Sequence, residues 1–191
     1  AAAIAALLAD LTARHGRVDG VIHGAGVVED KLVRDKTDES FGRVFDTKVS
    51  SALILNQQIR DDVRFVVFFS SVASAFGNRG QADYASANDA LDKIAHSWQA
   101  RIKGRVLSVN WGPWADTGMV NDSLRKEYAS KQIGLVPKDE GVFALLAELG
   151  VTKEALLADT ALLTSVLTYH VVSGRVLKAE VPVGSAITTV Q

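Results

Sequence analysis

Several residue types and patterns that define protein classes are missing from this 191-residue chain. It contains no cysteine, which excludes disulfides, thiolate metal sites and a cysteine nucleophile, and fits a reducing compartment such as the cytoplasm. Its formal net charge is −1, so it lacks the surplus of Lys and Arg that attracts nucleic acids and acidic membranes. Its apolar runs are far shorter than the roughly 20 residues that cross a bilayer. We expect no nucleic-acid partner, no membrane association and no metal.

Helical and strand-like segments alternate along most of the chain. Helical spacing of apolar residues marks 3–15, 37–59 and 84–102, and apolar runs that favour strands mark 18–26, 64–71 and 105–114. Thr37 is expected to cap the second helix. This alternation predicts an α/β fold, a partial Rossmann-like parallel sheet with helices on both faces. Residues 142–191 add a small α+β tail.

The three predicted strands end in small, polar or turn-forming residues. These endings are "HGAG" at 23–26, "SS" at 70–71 and "NWGPW" at 110–114. Ligands of parallel sheets bind beyond the carboxyl ends of the strands. Glycine lets a ligand approach the backbone there, and hydroxyl and amide groups orient it. The sequence therefore predicts a binding cleft at this edge of the sheet.

Lys48 lies within the apolar stripe of its predicted helix. Val44, Phe45 and Ala52 are three or four residues away on the same face. An amine in that position needs an anionic or polar partner to offset its desolvation. The alternative is a lysine at the stripe edge whose amine reaches solvent.

Ser71, Tyr84 and Asn88 form a second polar group. Tyr84 and Asn88 are four residues apart and share one helix face, and Ser71 ends a strand. Ordinary packing and capping explain each residue singly. A nucleophilic serine is disfavoured, because "FSSVA" lacks the G-x-S-x-G turn and His23, His96 and His170 are scattered. Together with Lys48, the group suits carbonyl reduction: a hydroxyl to hold the carbonyl, a phenol to protonate it, an amine to lower the phenol pKa and an amide to hold water.

Residues 3 to 140 resemble the C-terminal part of a ketoreductase domain of polyketide or polyunsaturated-fatty-acid synthases, within the short-chain dehydrogenase/reductase superfamily. The stretches that carry the resemblance are "VDGVIHGAGVVEDKLVRDKT", "FDTKV", "FSSVASAFGNRGQADYASAND" and "LSVNWGPWADTGM". It implies that Tyr84 is the general acid and that Ser71 binds the substrate carbonyl. It further implies that Lys48 lowers the pKa of Tyr84 and contacts the nicotinamide ribose, and that Asn88 holds a proton-relay water.

The resemblance also implies NADPH as cofactor and an acyl carrier protein with a thioester-bound 3-ketoacyl substrate as partner. The implied cofactor-binding residues are His23, Gly24, Ala25, Gly26, Lys48, Tyr84, Asn110, Gly112, Pro113 and Trp114. Asp30 keeps the last acid of the Leu-Asp-Asp motif of B-type ketoreductases, although "VED" changes its first two letters. Gln81 stands where A-type enzymes carry tryptophan. Both residues would contact substrate and favour a B-type, D-configured product.

The sequence departs from this family at both ends. It has no glycine-rich turn of the type that binds a pyrophosphate at a helix N-terminus. We therefore expect the N-terminal cofactor half of the fold to be supplied in cis or in trans, and the chain alone to be inactive or nearly so. Residues 142–191 resemble part of a fasciclin-like domain, on "TYHVVSGRVLKAEVPVG". This predicts a ketoreductase-like domain over 1–141 and a fasciclin-like fragment over 142–191.

Three functions remain open on the sequence. The first is NADPH-dependent reduction of a 3-ketoacyl thioester to a 3-hydroxyacyl thioester. The second is a non-catalytic chimeric or engineered scaffold, in which both segments serve only as packing units. The third is an adhesion or binding role for the fasciclin-like tail.

Overall fold

A computed structural model describes residues 2–115, 120, 122–152 and 154 of the chain. Most of residues 142–191, the segment predicted to be fasciclin-like, lies outside these residues. The described elements follow the order helix α1 (Ala2–His15), strand β1 (Gly20–His23), a short 3-10 helix (Val33–Asp35), α2 (Asp38–Gln58), β2 (Phe65–Ser71), α3 (Ala73–Phe76), α4 (Ala82–Gln99), β3 (Arg105–Trp111), α5 (Asp122–Ser130) and α6 (Lys138–Leu149).

The three strands form one parallel sheet in the order β1-β2-β3. Gly20 pairs with Phe65, which pairs in turn with Arg105, so all three strands run in register towards the same edge. Parallel neighbours need a crossover connection, which α2 and α4 provide. The predicted α/β parallel sheet is confirmed. The first predicted strand is shorter than expected, because its hydrogen-bonded part ends at His23 and the glycines that follow leave the sheet.

Successive side chains of β2 alternate between two apolar clusters on opposite faces of the sheet. Val66 and Phe68 pack with residues of α2 and α4, with Ile4 and Leu8 of α1 against them. Phe65 and Val67 face the other way, towards Leu145 and Leu149 of α6. Helices therefore cover both faces, as the sequence predicts.

Helices α2 and α4 carry three of the four predicted catalytic residues, namely Lys48, Tyr84 and Asn88. The Thr37 hydroxyl accepts a hydrogen bond from the Ser40 amide at 3.2 Å, so the predicted cap of α2 is confirmed. Helix α4 begins two residues earlier than predicted, at Ala82, and ends at Gln99. Tyr84 consequently lies in the first turn of α4, just beyond the sheet edge where β2 ends.

Helix α6 is continuous across the predicted domain boundary at 141/142. Gly141 is buried against the Trp114 indole, and a Cβ built there would lie 2.4 Å from a ring carbon.

Among the described helices, none is long and apolar enough to cross a membrane.

Candidate active site

A cavity of about 640 Å³ opens at the carboxyl edge of the sheet. Nine of the residues predicted to form the site line it: Gly24, Asp30, Lys48, Ser71, Gln81, Tyr84, Gly112, Pro113 and Trp114. They come from the ends of all three strands, from α2 and from the first turn of α4. The sheet register therefore brings together residues that are up to 90 positions apart in the sequence.

Lys48 reaches the cavity from the buried face of α2. The residue is only 3% exposed, and its Nζ donates to the carbonyl oxygen of Phe69 at 2.8 Å. Burial lowers the pKa of Lys48 from 10.5 to about 8, and Asp92 opposes that shift. The amine is therefore mostly protonated at pH 7. One of its three N–H groups is used by Phe69, which leaves donors for a ligand.

The Lys48 ammonium lies 5.6 Å from the centroid of the Tyr84 ring. This distance is within the range of a cation–π contact and of a stabilising charge for a phenolate. The net shift of the Tyr84 pKa is upward in this structure, so the lowering by Lys48 that the resemblance implies stays a prediction. Burial raises the pKa of Tyr84, and hydrogen bonding by the side chains of Ser71 and Asn88 only partly opposes the rise. The phenol accordingly holds its proton at neutral pH.

Ser71 stands where β2 leaves the sheet. Its Oγ accepts the Ala73 amide at 3.2 Å, which is the turn role expected of a serine at a strand end. The Ser71 side chain also hydrogen-bonds with the Tyr84 phenol, so the two hydroxyl groups meet in the cavity. The Oγ of the neighbouring Ser70 instead donates to the carbonyl oxygen of Asn88 at 3.2 Å.

Asn88 is completely buried one turn after Tyr84. Its Nδ2 donates to the carbonyl oxygen of Tyr84 at 2.8 Å. Its Oδ1 is buried and has no protein hydrogen-bond donor, although a buried amide oxygen is normally paired with a protein group or a water. This oxygen is the acceptor that a bound water would satisfy.

His23 is turned away from the cavity. Its Nε2 lies 2.7 Å from the Ser51 hydroxyl, and its ring packs edge-on against Phe68 at 5.5 Å. Burial, followed by the nearby Lys48 charge, lowers the pKa of His23 to about 4. The ring is therefore neutral, and it packs beside the cavity without lining it. The cavity lining includes Gly24 but not His23, Ala25 or Gly26.

Asn110 also lies outside the cavity lining. Its Nδ2 donates to the Ser74 hydroxyl at 3.0 Å and to the Asp92 carboxylate at 3.2 Å. The residue is exposed, whereas the glycine, proline and tryptophan at 112–114 reach the cavity. The "NWGPW" stretch thus contributes through its last three residues and Trp111 rather than through the asparagine.

Asp30 and Gln81 meet across the cavity mouth. The Gln81 Nε2 donates to both oxygens of Asp30, at 3.0 and 3.1 Å, and its Oε1 accepts from Asn78 at 3.0 Å. The two residues predicted to contact substrate are therefore hydrogen-bonded to each other on one wall, 51 positions apart in the sequence.

Aromatic residues that were not among the predicted site residues contribute to another wall. Phe69 stacks on Trp114 with centroids 6.5 Å apart, and Trp111 lies 4.7 Å from Trp114. Tyr128 of α5 and Phe76 of α3 also line the cavity. Trp111 could have been found from its place in the strand-end stretch, whereas Tyr128 has no local signal that links it to the site.

The described residues fit the reactive half of a nicotinamide cofactor. A Cβ built on Gly24 meets no atom within 4 Å, so the backbone at the end of β1 is open to a ligand. The Lys48 ammonium has donors to spare, and the aromatic wall offers flat surfaces. No group of acidic or histidine side chains suited to a metal ion occurs among the described residues.

Comparison with known proteins gives a family match. The model of the KR domain family matches residues 1–116. The chain is 39% identical over 127 residues to a polyunsaturated fatty acid synthase polypeptide of Thraustochytrium sp., covering 66% of this chain and 4% of the relative. It is 38% identical over 130 residues to 6-methylsalicylic acid synthase of Penicillium patulum, covering 66% of this chain and 7% of that one.

Solved structures give a concordant result. The ketoreductase from the first module of phoslactomycin biosynthesis in Streptomyces sp. HK803 superposes with a TM-score of 0.71 at 32% identity, over 75% of this chain and 33% of that one. A ketoreductase domain from the bacillaene assembly line gives 0.67 at 34% identity, over 83% and 38%. The chain spans only a small part of its curated relatives and about a third of these solved chains. On its sequence, its fold and the convergence of its site residues, the chain belongs to the KR domain family of ketoreductases.

Proposed function

We propose that this chain carries the catalytic part of an NADPH-dependent ketoreductase. Its substrate would be a 3-ketoacyl thioester on an acyl carrier protein, and its product the 3-hydroxyacyl thioester. The observation that carries the proposal is the convergence of Lys48, Ser71 and Tyr84 on one cavity at the carboxyl edge of the sheet. The relatives are polyketide and polyunsaturated fatty acid synthases, which supports an acyl carrier protein as partner.

Two hydroxyl groups in the cavity can act on the ketone oxygen. NADPH, when bound, supplies the hydride that the carbonyl carbon receives. The Ser71 hydroxyl donates a hydrogen bond to the carbonyl oxygen and orients it. Tyr84 transfers its phenolic proton to that oxygen as negative charge develops there, so the ketone becomes an alcohol and Tyr84 becomes a phenolate. Burial favours this role, because it raises the Tyr84 pKa and keeps the phenol protonated beforehand.

Lys48 stabilises the charge that the proton transfer leaves behind. Its ammonium, 5.6 Å from the ring centroid, is a fixed cation next to the developing phenolate. The Asn88 Oδ1, buried without a protein donor, would hold the water through which the proton is replaced. The ammonium also offers free N–H donors to the ribose of the cofactor, as the family resemblance implies.

The described residues do not fit the phosphate half of the cofactor. The sequence has no glycine-rich turn, and within the described residues β1 pairs only with β2. We propose that a preceding half of the fold, in cis or in trans, supplies that turn and a neighbour for β1. Turnover by the 191 residues alone is expected to be absent or very low.

The proposed product stereochemistry rests on the part of the cavity lining that Asp30 and Gln81 form. Asp30 and Gln81 are hydrogen-bonded to each other at the cavity mouth and line the same cavity as Tyr84. The Gln81 side chain is smaller than a tryptophan, so it takes up less of the cavity at this wall. We propose a B-type, D-configured 3-hydroxyacyl product.

The test uses a joined polypeptide, in which the part of the phoslactomycin ketoreductase that precedes its match to this chain is placed before residue 1. NADPH oxidation is followed with a 3-ketoacyl thioester, and product is identified by chiral chromatography. The joined polypeptide is expected to reduce the thioester, and Tyr84→Phe is expected to lower the rate at least about 100-fold while circular dichroism stays unchanged. A folded joined polypeptide that binds NADPH without reducing the ketone would refute the proposal and favour a non-catalytic scaffold.

A further inference from the structure

Lys36 and Asp83 form a buried ion pair beside the site. Their Nζ and Oδ2 atoms are 2.7 Å apart, and the two side chains are only 4% and 1% exposed. The Lys93–Asp89 pair of α4, by contrast, has side chains that are 72% and 47% exposed. The buried pair joins two segments 47 positions apart, and neither of its residues lines the cavity.

Each member of the pair also holds a backbone group next to a site residue. The Lys36 Nζ donates to the carbonyl oxygen of Glu29 at 2.8 Å, directly before Asp30. The Asp83 Oδ1 accepts the backbone N–H of Tyr84 at 2.9 Å. That N–H lies in the first turn of α4, where amides have no acceptor within the helix. The ion pair therefore reaches the backbone on both sides of the cavity.

Further hydrogen bonds run parallel to this connection. The Lys31 amide donates to the carbonyl oxygen of Gly80 at 2.9 Å, and Gln81 binds the Asp30 carboxylate. Residues 29–31 and 80–84 are thus tied at several points, with the ion pair as the buried member. We call these two segments, together with Lys36, the clamp.

Fold stability alone does not account for a charged pair at this place. Replacing a buried ion pair with apolar residues of similar volume is often neutral or stabilising, because the desolvation of both charges is avoided. What apolar residues cannot reproduce is direction: the ammonium and the carboxylate fix the angles of the backbone groups that they bind.

We propose that the Lys36–Asp83 pair is a positioning device, which sets the Tyr84 phenol relative to Asp30 and thereby decides which face of the ketone is reduced. This inference rests on the proposed ketoreductase function. Neither residue contacts the reacting atoms; they act through the backbone of Glu29 and of Tyr84. A displacement of about 1 Å between Tyr84 and the substrate wall would lower the rate by up to about 100-fold.

The experiment compares two double variants of the joined polypeptide. Lys36→Met with Asp83→Leu removes the buried pair, and Lys93→Met with Asp89→Leu removes the exposed pair of α4 as a matched control. The first is expected to fold, to lower kcat about 10- to 100-fold with KM changed less than about threefold, and to lower the ratio of the two product enantiomers at least about 10-fold. The control is expected to leave all three unchanged.

Hydrogen exchange gives a readout that needs no turnover. The amides of Lys31 and Tyr84 are expected to exchange at least about 10-fold faster when the buried pair is removed, while amides of the strand core keep their protection. If Lys36→Met with Asp83→Leu does not fold, Lys36→Met with Asp83→Asn replaces it. The side-chain carbonyl of the asparagine can still accept a hydrogen bond from the Tyr84 amide. Hydrogen exchange is therefore expected to rise at the Lys31 amide alone, and the preference for one product enantiomer is still expected to be lost.

Failure of the inference differs from failure of the proposed function. If the wild-type joined polypeptide folds and reduces no ketone, the ketoreductase proposal fails. If wild type is active and Tyr84→Phe is not, the function holds and the clamp is tested separately. A folded double variant at 36 and 83 with wild-type enantiomeric ratio and wild-type exchange at Lys31 and Tyr84 would overturn the positioning role.

Discussion

Replacing Lys48 with methionine is expected to stabilise the fold at pH 7 while it removes activity. The buried amine has its pKa lowered from 10.5 to about 8, and this difference corresponds to about 3 kcal/mol of unfavourable free energy for the charged form at neutral pH. Methionine fills a similar volume and is a similarly good helix former. It leaves the Phe69 carbonyl without its donor, which costs about 1 kcal/mol. The net expected gain in the free energy of unfolding is about 2 kcal/mol.

The pH dependence of this gain follows from the direction of the shift. Between pH 8 and 10.5 the unfolded chain carries a proton on Lys48 that the folded chain has released. The free energy of unfolding of the wild type therefore rises as the pH rises from about 8 to 10.5. This gain is absent below about pH 8. The Lys48→Met variant does not have this pH dependence. Its advantage is expected to be largest at pH 7 and close to zero near pH 10.

Urea denaturation of wild type and variant at pH 7, 8, 9 and 10 measures the difference. Lys93→Met is the control, because the Lys93 side chain is 72% exposed and its removal is expected to change stability by less than about 0.5 kcal/mol at each pH. A Lys48→Met variant that is less stable than wild type at pH 7, or a difference that does not vary between pH 7 and 10, would refute the reasoning.

Three further predictions concern the site and the strand starts. In the joined polypeptide, Ser71→Ala is expected to lower kcat about 100-fold with circular dichroism unchanged, because the ketone loses its orienting donor; a loss below about threefold would remove that role. The kcat of the same polypeptide is expected to fall above pH about 8, where Lys48 loses its proton, and a flat profile to pH 10 would contradict a catalytic ammonium. Gly104→Ala is expected to lower the free energy of unfolding, measured in urea, by about 2 to 3 kcal/mol, because its Cβ would lie 2.1 Å from the Val63 carbonyl oxygen. Gly134→Ala is the control, because a Cβ there would meet no atom within 4 Å. Equal stability of the two variants would contradict the prediction.

Local patterns predicted the elements that hold the site. The helix that carries Lys48, the Thr37 cap and the parallel strands all follow from periodicity and capping rules that act within a few residues. Spacing alone left open whether the Lys48 amine is buried or reaches solvent. The strand endings predicted the cavity, because the carboxyl ends of parallel strands meet at one edge.

Contacts between distant segments could not be predicted in this way. The Lys36–Asp83 pair depends on how a 3-10 turn docks on the start of α4, and no spacing rule links positions 47 apart. The Tyr84 pKa rises because burial outweighs its polar contacts, and burial is a property of the assembled fold. His23 and Asn110 belong to the predicted strand ends, but their side chains bind Ser51 and Ser74 instead of facing the cavity.

Chiral product analysis of the joined polypeptide tests the central claim most directly. Lys48, Ser71 and Tyr84 acting together predict NADPH-dependent conversion of a 3-ketoacyl thioester to the D-configured 3-hydroxyacyl thioester, and loss of that conversion in Tyr84→Phe. Equal conversion by the folded wild type and the folded Tyr84→Phe variant would contradict it.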